Sequence, residues 1–359
     1  MKTMTNTLIT WLDERFHISP LFEYMSKKKV PVHHHTVWYY MGGVTLFLFI
    51  IQLCTGILLL FYYRPGSESA YESIRFILTK VHFGWLIRSL HSWSANLMVF
   101  FIFVHMFSTL FTRAYRKPRE LTWVTGFILL CLAMAFGFSG YLLPWDELAF
   151  FATKVGTDIV GAVPLIGDFM LNLLRGGPDV TGATLIRFYA FHVAMLPAIF
   201  TIILTLHLLF VQRQGMSEPE DLESIPEEKK QWISFFPVFF LRDLALWLFV
   251  LAGVLFLAVY FPWELGPKAD PFSPAPAGIR PEWYFMFMFQ TLKVLPAHLL
   301  FMEGEVFGIL FFAAAGIFWL LIPFIESFIP TPAKRRFVFI VGSVSLIYII
   351  LLTVIGYLS

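Results

Sequence analysis

Seven long apolar runs constrain what this chain can fold into. They occupy about residues 37–62, 90–112, 122–142, 185–211, 237–261, 300–325 and 337–357. At about 1.5 Å of rise per helical residue, each run can cross a hydrocarbon layer about 30 Å thick. A chain inside that layer must satisfy its backbone polar groups internally, so each run predicts a helix. The residues are 58% hydrophobic and 14% charged, against about 25% charged in soluble domains. The sequence therefore predicts an all-α polytopic membrane protein.

The distribution of basic residues predicts the orientation of the spans. With seven spans the two termini lie on opposite sides of the membrane. The loops that share a side with the N-terminus hold most of the clustered Lys and Arg, namely Lys27, Lys28, Lys29, Arg113, Arg116, Lys117, Arg119, Lys334, Arg335 and Arg336. By the positive-inside rule, the N-terminus is expected in the cytoplasm. The net charge of +2 predicts no nucleic-acid partner.

The loop at 213–234 is the most polar of the predicted cytoplasmic loops, and it separates four spans from three. We expect a four-helix half at 1–212, a linker at 213–234 and a three-helix half at 235–359. Apolar pieces near 148–155 and 159–174 are too short to span, and we expect them to lie at the interface. Cys54 and Cys131 occur in no CxxC or CxxCH pattern, so no covalent attachment motif for a c-type haem is present.

Four histidines lie in two of the predicted spans. His91 and His105 are 14 residues apart, and His192 and His207 are 15 apart. These spacings place two imidazoles on roughly one face of each helix, about 21–22 Å apart along its axis. Two such helices side by side would present one His–His pair near each membrane edge. The pattern favours bis-imidazole ligation of two haems, suited to electron transfer. Taken one at a time, each His could equally be a hydrogen-bonded bundle residue.

Glycines repeat the interval of the first histidine pair. Gly42 and Gly56 are 14 residues apart in the first span, and Gly126 and Gly140 are 14 apart in the third. A flat macrocycle between the histidine helices needs neighbours without side chains at its level, and glycine provides that space. Ordinary small-residue packing between helices is the alternative, but the matching intervals favour haem.

Basic residues near these levels are candidates for binding the anionic edge of the cofactor. Arg88 lies at the outer level, and Arg113 and Arg119 lie at the inner level. The alternative is membrane anchoring by positive loops, which we consider the better explanation for Arg113.

A second candidate site is the segment Arg280 to Phe285, with Glu282 between Pro281 and the aromatic residues. A carboxyl group at an apolar membrane edge is desolvated, which raises its pKa towards neutrality. Such a group could accept a proton from a quinol hydroxyl. The alternative is a hydrated loop acid beside an aromatic belt. Tyr141, after the third span, falls on the same side and could form the facing wall.

These features together resemble the cytochrome b family of quinol:cytochrome c oxidoreductases. The resemblance covers nearly the whole chain. Besides the four histidines, the matching segments are FGWLIRS (83–89), KPRELTWVTG (117–126), GYLLPW (140–145), LLRG (173–176), RFYAFH (187–192), ADPF (269–272) and PEWYF (281–285). The 15-residue histidine spacing, Asp146 after the third span and the three-helix second half resemble the b6f branch, here with its two halves fused.

The resemblance implies two haem b groups, with His91 and His192 as ligands of the outer one and His105 and His207 as ligands of the inner one. It assigns Glu282, Tyr284 and Tyr141 to an outer quinol oxidation pocket. A Q-cycle follows, in which electrons leave to a Rieske-type iron–sulfur protein and a c-type cytochrome, or cross the two haems to quinone at the inner site. It also implies a homodimeric complex, and we expect it in the bacterial inner membrane.

Two positions differ from the b6f pattern. Where that branch has a cysteine that attaches a further haem covalently, this chain has Tyr40, so a covalent third haem is not expected. Where the branch usually has arginine, this chain has Gln212, and Arg213 is a candidate to substitute for it at the inner site.

Two other functions are compatible with part of the pattern. One is a dihaem membrane anchor of a quinone-linked dehydrogenase, which uses the same ligands but has four or five helices. The other is a haem-free transporter whose histidines relay protons, although the glycine spacing has no explanation there. The PEWYF segment and the last three spans favour the quinol oxidoreductase.

Overall fold

A computed structural model describes residues 2–33, 35–299 and 301–359. Its α-helices, in chain order, are α1 (Lys2–Phe16), α2 (Ile18–Lys27), α3 (Met41–Leu60), α4 (Ala70–Thr79), α5 (Gly84–Phe111), α6 (Glu120–Tyr141), α7 (Glu147–Gly161), α8 (Gly167–Arg175), α9 (Gly182–Ala190), α10 (Leu196–Gln214), α11 (Glu220–Glu223), α12 (Phe240–Tyr260), α13 (Trp283–Val294), α14 (Gly304–Ser327) and α15 (Thr331–Leu358). Short 3-10 turns (Thr36–Tyr40, Glu227–Lys229) and a π-helical turn (Phe191–Met195) connect some of them, and the segment Phe235–Phe239 leads into α12 with an extended backbone at Phe236.

The predicted seven spans are confirmed. Within the described residues, seven helical segments are long and apolar enough to cross a membrane: Thr36–Leu60, Gly84–Phe111, Glu120–Tyr141, Gly182–Gln214, Phe235–Tyr260, Gly304–Ser327 and Thr331–Leu358. Large apolar side chains on their outer faces are exposed, as expected for helices whose solvent is lipid. The two short interfacial pieces are also helices, α7 and α8, and Asp146 caps the first turn of α7 by accepting from the Ala149 amide at 3.0 Å.

Three predicted helix boundaries differ from the structure. Helix α5 begins at Gly84 rather than near 90, because polar residues of its first turns are buried under the loop that follows α12. Helix α15 begins at Thr331 rather than near 337, with Pro332 in its first turn, where proline is favoured. Helix α14 begins at Gly304, whereas residue 300, its predicted start, lies outside the described residues.

Two small antiparallel pairings accompany the helices. Strand β1 (Lys29–Val32) pairs with β2 (Gln231–Ser234), with Lys29 opposite Ser234 and Val32 opposite Gln231. Strands β3 (His298–Leu299) and β4 (Met302–Glu303) form a hairpin ahead of α14. The first pairing ties the segment before the first span to the segment before the fifth.

One of three apolar core clusters lies between the first four spans and α12. Its buried residues include Val44, Leu48, Met98, Leu129, Phe200 and Val254. Helix α12 packs against α3 and α5, and α14 packs against α6. The proposed division at 213–234 into a four-helix and a three-helix half stays a prediction.

Candidate functional site

The four predicted histidines project from three helical segments. His91 and His105 lie on α5, His207 lies on α10, and His192 lies in the π-helical turn Phe191–Met195 that precedes α10. A π-helical turn inserts one residue into an α-helix. This insertion accounts for the spacing of 15 in the second pair against 14 in the first, because it returns both imidazoles to one face.

His91 and His192 face each other across the bundle. Their ring centres are 6.3 Å apart, with the ring planes at 72°. Two imidazoles that each bind one metal ion through a nitrogen at about 2 Å have ring centres about 6 Å apart. The pair therefore has the separation that a shared iron requires.

Each predicted glycine lies against one histidine. An ideal Cβ added to Gly42 would lie 3.2 Å from Cε1 of His105, and one on Gly126 would lie 3.3 Å from Cε1 of His207. At Gly56 and Gly140 the corresponding distances, to His91 and His192, are 3.4 and 2.6 Å. A side chain at Gly140 would clash with the imidazole, side chains at Gly42 and Gly126 would crowd it, and one at Gly56 would touch it. Glycine therefore permits the close approach of each ring.

Hydroxyl groups fix the tautomer of three of these histidines. Thr55 Oγ1 lies 2.9 Å from His91 Nδ1 and donates its own proton to the Ile51 carbonyl at 2.6 Å. Because the hydroxyl proton is already used, the oxygen accepts from Nδ1–H of the imidazole. Nε2 then keeps a free lone pair, which is the form that binds a metal.

The same arrangement recurs at two further histidines. Ser139 Oγ lies 3.1 Å from His192 Nδ1, and Thr125 Oγ1 lies 3.0 Å from His207 Nδ1. Both hydroxyls also donate to carbonyls of their own helix, at 3.2 Å for Ser139 and 2.9 Å for Thr125. The fourth histidine differs: Nδ1 of His105 is buried, and no described residue forms a hydrogen bond with it.

These hydroxyls were missed from sequence, although a signal was present. Each immediately precedes a histidine-facing glycine, as Thr55-Gly56, Thr125-Gly126 and Ser139-Gly140. The fourth glycine, Gly42, follows Met41, and its partner His105 is the one without a hydroxyl.

A cavity of about 460 Å³ opens beside the outer histidine pair. Besides His91 and His192, Arg88, Tyr141, Glu282 and Tyr284 line it, so the structure brings the predicted outer-site residues together. The Arg88 side chain is buried and donates to the carbonyls of Trp263 and Glu264, at 2.5 and 3.2 Å.

Glu282 stands at the junction of two cavities. It also lines a larger, mainly apolar cavity of about 850 Å³, together with Tyr141, Phe138 and Phe285. Burial raises the pKa of the Glu282 carboxyl above its ordinary value. Burial likewise raises the pKa of the Tyr284 phenol, which stays protonated. An apolar substrate with a hydroxyl group could therefore reach a carboxylate that is poised to take its proton.

At the inner level, Arg119 and Arg213 are placed differently. Arg119 donates to the carbonyls of Gln214 and Met216 at 3.0 and 3.3 Å, which ties the start of α6 to the end of α10. The Arg213 side chain is exposed. Their assignment to cofactor binding stays a prediction.

A buried polar cluster at the inner level was not predicted. Asp243 of α12 packs against Gly43, where an added Cβ would lie 2.6 Å from Oδ1. Tyr40 Oη, Asp243 Oδ1 and Trp247 Nε1 are buried without a hydrogen bond of good geometry among the described residues. Tyr40 stacks on Phe239 with ring centres 4.5 Å apart. The sequence signal was a charged pair, Arg242-Asp243, inside an apolar span.

Comparison with known proteins places these features in one family. Residues 25–215 match the family model described as cytochrome b/b6/petB, and residues 268–359 match that of the C-terminal part, cytochrome b (C-terminal)/b6/petD. The chain belongs to the cytochrome b family. It is the cytochrome b subunit of a quinol:cytochrome c oxidoreductase.

Individual relatives cover either the whole cytochrome b or its first half. The cytochrome b subunit of the cytochrome bc complex of Chlorobaculum thiosulfatiphilum is 47% identical over 96% of this chain and 79% of that protein. Cytochrome b6 of Synechococcus sp. (strain JA-3-3Ab) is 46% identical over 58% of this chain and 97% of that protein. A solved hyperthermophilic respiratory Complex III contains a chain with a TM-score of 0.80 and 27% identity, covering 98% of this chain and 99% of that one.

Proposed function

We propose that this cytochrome b holds two haem b groups, one between His91 and His192 and one between His105 and His207. The observation that carries the proposal is the outer pair: ring centres 6.3 Å apart, with both Nδ1 atoms beside hydroxyl oxygens. The donor set fits haem, because neutral imidazoles with free Nε2 lone pairs lie beside glycines that leave room for a flat group. When bound there, haem supplies one-electron redox chemistry at each membrane edge.

The outer cavity is the proposed quinol oxidation site. Glu282 accepts a proton from the quinol hydroxyl, since burial has already raised the affinity of its carboxylate for a proton. Tyr141 and Tyr284 line the same cavity and shield the carboxylate from bulk water. The apolar cavity on the other side of Glu282 provides the approach for a hydrophobic quinol from the membrane.

The inner cluster is the proposed quinone reduction site. Asp243 and Tyr40 are the polar groups available there to deliver protons to a reduced quinone. Asp243 packs on Gly43, and the next residue, Gly42, packs on His105. The cluster therefore lies near His105 of the inner pair. Tyr40 has no thiol, so no covalently attached haem is expected.

Proton translocation follows from this placement of sites. Protons released from quinol at the outer edge and taken up at the inner edge would charge the membrane. The positions of Lys and Arg in the loops support a cytoplasmic N-terminus. We further propose a homodimeric complex in a bacterial inner membrane, with a Rieske-type iron–sulfur protein and a c-type cytochrome as redox partners and with quinone and lipid around it.

A pyridine haemochrome assay with acid–acetone extraction tests the haem proposal. We expect two extractable b haems per chain and none left on the polypeptide. Haem retained by the extracted chain would contradict the interpretation of Tyr40. One haem per chain would leave one histidine pair without its proposed role.

A further inference from the structure

Trp283 lies between Glu282 and Tyr284 and is bound to a residue outside its own segment. Its indole Nε1–H donates to Oδ1 of Asn96 on α5 at 3.0 Å. Nδ2 of the same Asn96 side chain donates to the Ser92 carbonyl at 3.1 Å. The contacts connect Trp283 to the helix turn that carries His91, and Asn96 and Ser92 themselves line the outer cavity.

The two contacts fix the orientation of the Asn96 amide. An indole N–H can only donate and a carbonyl can only accept, so one of the two amide orientations satisfies both partners. The rings of Phe100 and Phe103, with centres 6.4 and 6.3 Å from that of Trp283, offer the N–H no comparable acceptor. Asn96 is thus the hydrogen-bond acceptor that seats Trp283.

The position of the Trp283 side chain also determines where the first turn of α13 lies. Glu282 is the N-cap of that helix, yet its carboxylate does not cap the helix amides, so the local helix end does not set its direction. Tyr284 is held from the opposite side, because its ring occupies the space where a Cβ of Gly137 would lie. Helix α5 contacts this turn through Asn96, and helix α6 contacts it through Gly137. The two helices therefore hold the turn between them.

We propose that Asn96 is a positioning residue for quinol oxidation, holding Trp283 so that Glu282 and Tyr284 face the outer cavity. The inference rests on the proposed function of that cavity. Asn96 itself lines the outer cavity, and the proposal assigns its effect to the hydrogen bond with Trp283 rather than to proton transfer.

The variant Asn96→Leu tests this role, because it keeps approximately the shape of the side chain and removes both hydrogen bonds. We expect kcat and kcat/KM for quinol oxidation by the assembled complex to fall together about tenfold, as for a misplaced catalytic group. The electron donors are decylubiquinol and menadiol, with a soluble c-type cytochrome as acceptor. The optical spectrum of the b haems should not change.

Trp283→Phe removes the same hydrogen bond from the other side. It should lower kcat similarly, and the double variant should be no slower than either single variant, since one interaction is lost in all three. Asn172→Leu is the matched control: the Asn172 amide makes the same kind of bond to the Asp168 carbonyl, at 2.8 Å, but it lies exposed on α8. Its kcat should equal that of the wild type.

A spectroscopic signature separates positioning from general destabilisation. Ultraviolet resonance Raman should show weakened indole hydrogen bonding in Asn96→Leu, and the difference should vanish in the Trp283→Phe background. An unchanged kcat in Asn96→Leu, or additive effects in the double variant, would overturn the proposal. If Asn96→Leu fails to assemble, an unchanged kcat in Trp283→Phe overturns it instead.

Glu282→Gln, measured in the same assay, separates this inference from the proposed function. If Glu282→Gln is slow and Asn96→Leu is not, only the role of Asn96 is wrong. If Glu282→Gln also turns over normally, the proposed outer site itself is wrong, and the role of Asn96 falls with it.

Discussion

The hydroxyl oxygen of Thr125 lies 3.0 Å from Nδ1 of His207 while donating its proton to the Leu121 carbonyl at 2.9 Å. The threonine therefore acts as an acceptor towards the imidazole, and it immediately precedes Gly126, against which the same ring packs. A two-residue unit thus provides both the space for the ring and the hydrogen bond that orients it. The same unit serves His91 and His192.

Replacing Thr125 with valine should weaken haem retention at the His207 position. Valine keeps the shape but cannot accept from Nδ1–H, so the imidazole loses this acceptor and part of its basicity, while the Thr122 backbone remains beside it. Outer-shell partners of this kind are worth about 10–100-fold in metal affinity. Haem content per chain after dilution or mild heating measures the effect. Thr205→Val on α10, where Oγ1 donates to the Thr201 carbonyl, is the matched control and should retain haem normally.

Replacing Met41 with threonine should have the opposite effect at the fourth histidine. The change creates Thr-Gly against His105, the one of the four candidate ligands whose Nδ1 is buried without a partner among the described residues. A new acceptor there would satisfy a buried donor, which costs about 1–3 kcal/mol when left unpaired. The haem proposed between His105 and His207 should then resist thermal release better than in the wild type. Met41→Val, similar in shape but without a hydroxyl, should bring no gain.

The sequence predicted the parts of this fold that depend on local patterns. The seven spans followed from hydropathy, and the four histidines and four glycines followed from their intervals. The pairing of Lys29–Val32 with Gln231–Ser234 joins segments about 200 residues apart and has no local signal. The start of α5 was missed because Arg88 and Ser89 are polar yet buried by the carbonyls and amide of the loop at 263–264.

The candidate site shows the same limit. Glu282 was identified from its apolar neighbours, but the contact of Trp283 with Asn96 requires α13 to pack on α5, and residues 283–294 were not expected to be helical. Asp243 was overlooked because one acid in an apolar run does not reveal which helix it faces. Its packing on Gly43 depends on tertiary structure, which the local sequence does not show.

Glu282→Gln should slow quinol oxidation and flatten its pH dependence. Burial raises the pKa of the Glu282 carboxyl, and only the ionised form accepts a proton, so wild-type activity should rise with pH through a value above that of an ordinary glutamate. Glutamine has no ionised form, and the rising limb should disappear while the haem spectra stay unchanged. Steady-state rates between about pH 5 and 8, the range over which a raised carboxyl pKa is read, test this. Glu264→Gln, at an exposed position of the preceding loop, should keep the rise of activity with pH.

Arg113 should stabilise the inner end of the fold through buried ion pairs rather than as a loop anchor. It pairs with Glu220 and with Glu326 of α14, and the side chains of Arg113 and Glu326 are 8% and 5% exposed. Arg113→Met would leave the Glu326 carboxylate buried without its charged partner, which typically costs about 3–5 kcal/mol.

The thermal midpoint of the purified complex should therefore drop clearly in Arg113→Met and largely recover in Arg113→Met/Glu326→Met, where no charge is stranded. Arg75→Met breaks an exposed pair with Glu72, whose side chains are 64% and 40% exposed, and should cost only about 0–1 kcal/mol. Equal midpoints for the two single variants would show that the Arg113 pairs do not stabilise the fold. A double variant as unstable as Arg113→Met would assign the loss to packing of the arginine stem rather than to the stranded carboxylate.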